Sequence, residues 1–307
     1  MIASFFNKSK PINFVIVFFI TLLSFSIANF NLVNDAITFL LIVKQTVLLF
    51  IVLTSILLLN FIVSKNSLTK KNNYEMLLFS LFLLMITQTT ADSYILISNF
   101  LVLLGLRRLL SLRSQKDIKK KLFDAAFWIA LASLFYFWAI LFFLLILISL
   151  VLYVDNNIRH WIIPFLGIST VFIICVSTSI IMNNTYFNTL NISTQISYDF
   201  SSYNSIKYLI SITLLLSFGT WASIFYLNNI KKKKKASRAS FKIIIIAAIV
   251  AFFIVILAPN KKGSEFLFLF APLAIIITNY IEIIQEKWFK DVFLGALFVA
   301  PFILLLL

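Results

Sequence analysis

Residues Ala125–Val154 form thirty consecutive positions without a formal charge, bracketed by Lys119, Lys120, Lys121 and Asp124 before and by Asp155 and Arg159 after. As one α-helix the run extends about 45 Å at 1.5 Å per residue, against a hydrocarbon core of about 30 Å. A single crossing requires a tilt of about 48°, beyond the observed range of roughly 0–40°. The run therefore reads as a helical hairpin that enters and leaves on one side, turning near Phe135-Tyr136-Phe137-Trp138. Tyr and Trp favour the membrane interface, which suits a turn at the far surface; a re-entrant pair that stops short gives the same parity.

The rest of the chain has the same character. Hydrophobic residues make up 62%, charged residues only 12%, and mean hydropathy is +1.04, where soluble domains carry about 25% charged residues. Apolar segments at roughly 13–30, 45–64, 76–91, 94–110, 122–154, 161–182, 208–229, 243–258, 265–281 and 291–307 read as spans. The predicted fold is all-α: a polytopic transmembrane helical bundle of about eleven spans, or nine plus a re-entrant hairpin at 122–154, forming a single integral membrane domain over 1–307. Lys8 and Lys10 precede the run Ile12–Phe30, which is about twice the length of a signal h-region and reads as a retained first span.

Charge distribution orients this bundle. With the hairpin, 22 Lys and Arg fall on the side of Lys8 and only Lys44, Lys207, Lys261 and Lys262 on the other; a single span at 125–154 gives 15 against 11. The positive-inside rule then places the N-terminus in the cytoplasm and the C-terminus in the periplasm of a bacterial inner membrane. It also accounts for the net charge of +15 without nucleic acid as a partner. The segment RRLLSLRSQKDIKKK (107–121) and the pentalysine 231–235 read as anchors on anionic lipid. A lone Cys175 excludes an intrachain disulfide or a cysteine-based metal site, and His160 cannot build a histidine-rich one. No metal or cofactor is assigned.

Function has to come from polar groups that a membrane makes expensive. On the outer side the acids are Asp35, just after the first span, Asp92 in Thr87–Ser93, Asp199 in the largest outer loop, and Glu265. Glu265 belongs to Pro259-Asn260-Lys261-Lys262-Gly263-Ser264-Glu265, the one outer loop with two adjacent cations. Such lysines can hold a phosphate through charge-assisted hydrogen bonds, and a nearby carboxylate can serve as base. The segment Ala36–Val43 is too short to span and is expected to lie along the interface. Within the spans, Gln45, Asn60, Gln88, Asn99, Ser177, Thr178, Ser179 and Asn279 are suited to interhelical hydrogen bonds. A missing mid-membrane charge weighs against an ion-coupled transporter.

The stretch NFLVLLGLRRLLSLRSQKDIKKKLFDAAFWIALASLFYFWAILF from Asn99, with MIASFFNKSKPINFVIVFF at the start and APNKKGSEFLFLFAPLAIIITNYIE near the end, resembles an uncharacterised family of inner-membrane proteins of Bacteroidota. More loosely, the pattern resembles the GT-C glycosyltransferase superfamily. That likeness implies a transferase that takes a sugar from a polyprenyl-phosphate donor, with Asp35 matching the acid of the first outer loop. The short first loop and the lack of a second acid beside Asp35 depart from that pattern. Three functions are therefore expected to compete: such a transferase at the periplasmic face, with catalytic Asp35 and with Lys261, Lys262, Glu265, Asp92 and Asp199 binding substrate; a non-catalytic subunit docking other membrane proteins; and a transporter or lipid flippase.

Overall fold

The computed structural model describes residues 2–30, 38–153, 157–184, 195–259 and 261–306, and these contain helices and no strand. In chain order the helices are α1 (Ile2–Phe6), α2 (Pro11–Ala28), α3 (Phe39–Asn66), α4 (Tyr74–Met85), α5 (Ser93–Ser111), α6 (Ile118–Phe135), α7 (Phe143–Tyr153), α8 (Ile158–Asn183), α9 (Ile206–Ile230), α10 (Lys235–Leu257), α11 (Leu267–Ile283) and α12 (Lys287–Leu306). Among the described residues, eight helices are long and apolar enough to cross a membrane. The shorter apolar helices are Tyr74–Met85 and Phe137–Tyr153, and α6 opens on Lys119, Lys120, Lys121 and Asp124.

The uncharged run beginning at Ala125 is not one helix. It breaks at Tyr136, whose backbone is extended (φ −142°, ψ 104°), and continues through a 3₁₀ turn, Phe137–Phe142, into α7. Asp155 and its neighbours lie outside the described residues. The expected interfacial segment at 36–43 is corrected: α3 starts at Phe39 and runs 28 residues, with the Thr38 hydroxyl capping it through the Leu41 amide at 3.3 Å. Ala36 and Ile37 lie outside the described residues. Thr is among the residues favoured at an N-cap, where its side-chain oxygen takes up an otherwise unpaired amide of the first turn.

Contacts divide the chain into two compact units, Met1–Leu96 with Asp199–Lys233 and Asn260–Leu307, and Ile97–Tyr198 with Lys234–Pro259. In the first unit α4 is buried along its whole length and α11 nearly so. α4 packs against α2, α3, α11 and α12, and α9 covers α11. Phe270 of α11 meets Phe79 edge-on (centroids 6.2 Å) and Phe82 at 5.6 Å. Hydroxyls and an amide tie the helices to backbone: Ser24 to the Leu83 carbonyl (2.7 Å), Ser211 to Met85 (3.2 Å) and Asn279 to Leu68 (3.1 Å).

α4 has 12 residues, about 18 Å of helix, too short to cross alone. It stops at Ile86 (φ −124°, ψ 80°), followed by the 3₁₀ turn Thr87–Thr90. There Thr89 donates to the Ile86 carbonyl (2.7 Å) and Thr90 to that of Thr87 (2.8 Å). The protein encloses this irregular turn, with Thr87, Thr89 and Thr90 all buried.

In the second unit α6 and α8 form the closest pair. A Cβ on Gly167 would fall 2.7 Å from the Ala126 methyl and 3.0 Å from the Phe123 carbonyl, so the helices meet through small residues. Asp124 pairs with Arg108 at 3.1 Å, and the Lys121 ammonium donates to Ser111 O and Ser114 Oγ. α7 packs on α10, where the Tyr153 and Ser240 hydroxyls lie 2.7 Å apart.

Candidate functional site

One end of the first unit gathers the charged loops before α9 and before α11. Gly263 adopts φ +92°, a conformation that favours glycine, and the Tyr208 ring leaves no room for a Cβ, which would lie 2.8 Å from its Cε1. The Tyr208 hydroxyl donates to the Lys262 carbonyl at 3.0 Å. This turn presents Glu265 at the 3₁₀ turn Ser264–Phe266, which leads into α11. Glu265 Oε1 accepts from the Tyr203 hydroxyl, while Oε2 accepts more weakly from the Lys262 amide (3.4 Å) and Ser264 Oγ (3.5 Å).

Lys261 sits beside this carboxylate. Its ammonium lies 4.8 Å from the centroid of the Phe200 ring, and its carbonyl accepts from Ser202 Oγ at 2.5 Å. Lys261 is 5% and Glu265 2% exposed, values rare for charged residues. Burial lowers the Lys261 ammonium below the usual lysine value, and Glu265 and Asp199 work against that shift. Asp199 is held below the usual carboxylate range, first by hydrogen bonds from Ser201 and then by the Lys261 charge. Lys262 is exposed alongside.

Of the residues singled out in the sequence, Asp199, Lys261, Lys262 and Glu265 thus come together. Asp92 is a helix cap, its Oδ1 accepting from the amides of Tyr94 (3.0 Å) and Ile95 (3.2 Å) at the start of α5. The preceding turn, Thr87–Thr90, packs against Ser264–Phe266, and the end of α2 reaches the same turn through Asn29 and the Thr90 carbonyl (3.5 Å). Asp35 lies outside the described residues.

The opposite end of the unit holds a polar cluster that sequence reasoning missed. Asn72, Asn73, Tyr74 and Glu75 open α4 and are all buried. Glu282 at the end of α11 accepts from the Lys70 amide (2.7 Å) and the Asn72 side chain (2.5 Å). The Tyr74 hydroxyl donates to the Ala3 carbonyl, and the Lys290 ammonium lies 5.2 Å from the centroid of its ring. Glu75 Oε2 and Asn73 Nδ2 have no hydrogen-bond partner among the described residues. The signal was an Asn-Asn-Tyr-Glu run between Lys71 and an apolar segment, which reads as an ordinary loop unless the enclosure of α4 is known.

Among the described residues, no group of three or more His, Cys, Asp or Glu is placed to hold a metal ion. The model of a family described as a family of unknown function (DUF6427) matches residues 5–306. No curated protein and no solved structure matches the chain.

Proposed function

We propose that this chain, which belongs to the family of unknown function DUF6427, is a multi-span bacterial inner-membrane protein that handles a polyprenyl-phosphate-linked substrate at its periplasmic face, as a GT-C-like transferase would. The observation that carries this reading is the gathering of Lys261, Glu265 and Asp199 around one turn, with Lys262 exposed beside them. Lys262 holds the lipid phosphate, and Lys261 fixes the turn while biasing its charge towards anions. Asp35, by its likeness to the acid of the first outer loop in that superfamily, acts as base. On this reading the lysine-rich end of the first unit, with Lys8, Lys10, Lys65, Lys70, Lys71, Lys287 and Lys290, faces the cytoplasm.

The test is binding of a medium-chain polyprenyl phosphate to the full-length protein in neutral detergent, read by native mass spectrometry. Lys262→Gln should weaken binding about tenfold, the loss of one charge-assisted contact of roughly 1.5 kcal/mol. Asp35→Asn should leave binding intact and abolish any sugar transfer supported by the wild type. Equal binding of polyprenyl phosphate and uncharged polyprenol would overturn the reading.

One observation favours a second reading, a non-catalytic subunit of a membrane assembly. The buried charges of the site already have partners, since Glu265 is engaged by the Tyr203 hydroxyl and Lys261 by the Phe200 ring. Such a site can serve as a clasp that shapes a docking surface. Stoichiometric membrane partners retained in gentle detergent, with no binding of polyprenyl phosphate, would select this reading.

A further inference from the structure

A groove of about 540 Å³ opens between α2 and α3 in the first unit, lined by residues that include Phe14, Phe18, Phe50, Leu53, Leu57 and Met76. It is apolar throughout: the lining Thr54 hydroxyl is engaged by the carbonyls of Phe50 (2.8 Å) and Ile51 (3.0 Å). α2 and α3 both rest on α4, and Met76 of α4 lines the groove between them. The lining begins at Phe14, one turn above Lys10, the residue that precedes α2. Lys8 and Lys10 are exposed, and neither meets a carboxylate among the described residues. Lys65, at the end of α3, shares that end of the unit.

We propose that this groove binds one acyl chain of an anionic phospholipid, whose phosphate is held by Lys8 and Lys10. The groove's extent selects this occupant over a partner helix. Its lining covers Phe14–Phe19 on α2 and Phe50–Leu57 on α3, only about 10 Å of helix rise, whereas a transmembrane helix needs contact along much of about 30 Å. A flexible chain fits a short, half-open groove, and the cations just before α2 stand where a headgroup emerges from the hydrocarbon. The site lies at the opposite end of the unit from Lys261 and does not rest on the function proposed above.

The test titrates the full-length protein in neutral detergent with phosphatidylglycerol, phosphatidylcholine or a polyprenyl phosphate, read by native mass spectrometry. One phosphatidylglycerol per chain should bind at least fivefold more tightly than phosphatidylcholine of the same chains. The double variant Lys8→Gln, Lys10→Gln should erase that preference, at about fivefold per lysine near an anionic lipid. Leu57→Trp, which narrows the groove from its exposed side, should weaken binding of both phospholipids; Leu53→Trp replaces it if that variant does not fold. Lys262→Gln should leave phosphatidylglycerol binding unchanged. Equal affinity for the two phospholipids, binding unaffected by narrowing the groove, or tighter binding of polyprenyl phosphate in the groove would each overturn the proposal.

Discussion

The Tyr203 hydroxyl donates to Glu265 Oε1, joining the loop before α9 to the turn that opens α11 across 62 positions of sequence. A buried carboxylate needs such donors, since desolvation penalises its charged form. The bond therefore sets the geometry of the whole charged turn. Tyr203→Phe should destabilise the protein by about 1–3 kcal/mol, the penalty for leaving a buried acceptor unpaired. Thermal unfolding in detergent measures it. Tyr203→Phe added to Glu265→Gln should cost much less than in the wild type, and full additivity of the two changes would contradict the coupling.

Gly263→Ala is expected to destabilise by about 1–3 kcal/mol through its positive φ alone, and further through the clash with Tyr208. Combining it with Tyr208→Ala should relieve the clash and leave the backbone strain. Unfolding midpoints of the two single variants and the double variant separate these parts. No loss in Gly263→Ala would show that the turn differs from the one described.

The shifts of Asp199 and Lys261 give stability a defined pH dependence. Asp199 has a lowered folded value, so its contribution is present above the unfolded value of about 3.9 and is lost as pH falls through the folded one. Lys261 is lowered by burial, so the unfolded chain holds more protons between its folded value and about 10.4, and stability rises with pH across that window. Asp199→Asn should flatten the acid limb and Lys261→Met the alkaline limb of a stability–pH profile. An alkaline limb that Lys261→Met leaves unchanged would refute the assignment.

At the crossing of α6 and α8, Gly167→Ala should cost roughly 1–3 kcal/mol, as overpacking of a close contact does. Ala126→Gly should restore part of that loss by removing the methyl 2.7 Å away, while the Phe123 carbonyl at 3.0 Å limits the rescue. Failure of Ala126→Gly to recover any stability would place the clash elsewhere.

Much of this architecture could be read from the chain because hydropathy and charge are local signals. The break near Tyr136 followed from the length of an uncharged run set against bilayer thickness. Asp92 could also have been read as a cap, since Asp before Ser-Tyr-Ile is a common helix start. The position of Thr38 carried the same kind of cue, but Lys44, which α3 contains, set Ala36–Val43 apart as a segment too short to span. The gathering of Asp199 with Lys261 was not legible, because it depends on two loops far apart in sequence. Glu75 escaped notice for a related reason: next to Lys71 it resembles a solvated loop charge, and only the four helices around α4 make it buried.

The enclosure of α4 also bears on how the protein is made. α4 emerges early in synthesis, while α11 and α12, which complete its cover, begin at Leu267 and Lys287. Until those segments arrive, a short helix with Glu75 at one end and a threonine turn at the other has no stable place in lipid. The first unit therefore closes only when α11 and α12, in about the last seventh of the chain, have entered the membrane, which makes late truncations failures of assembly rather than losses of a peripheral tail.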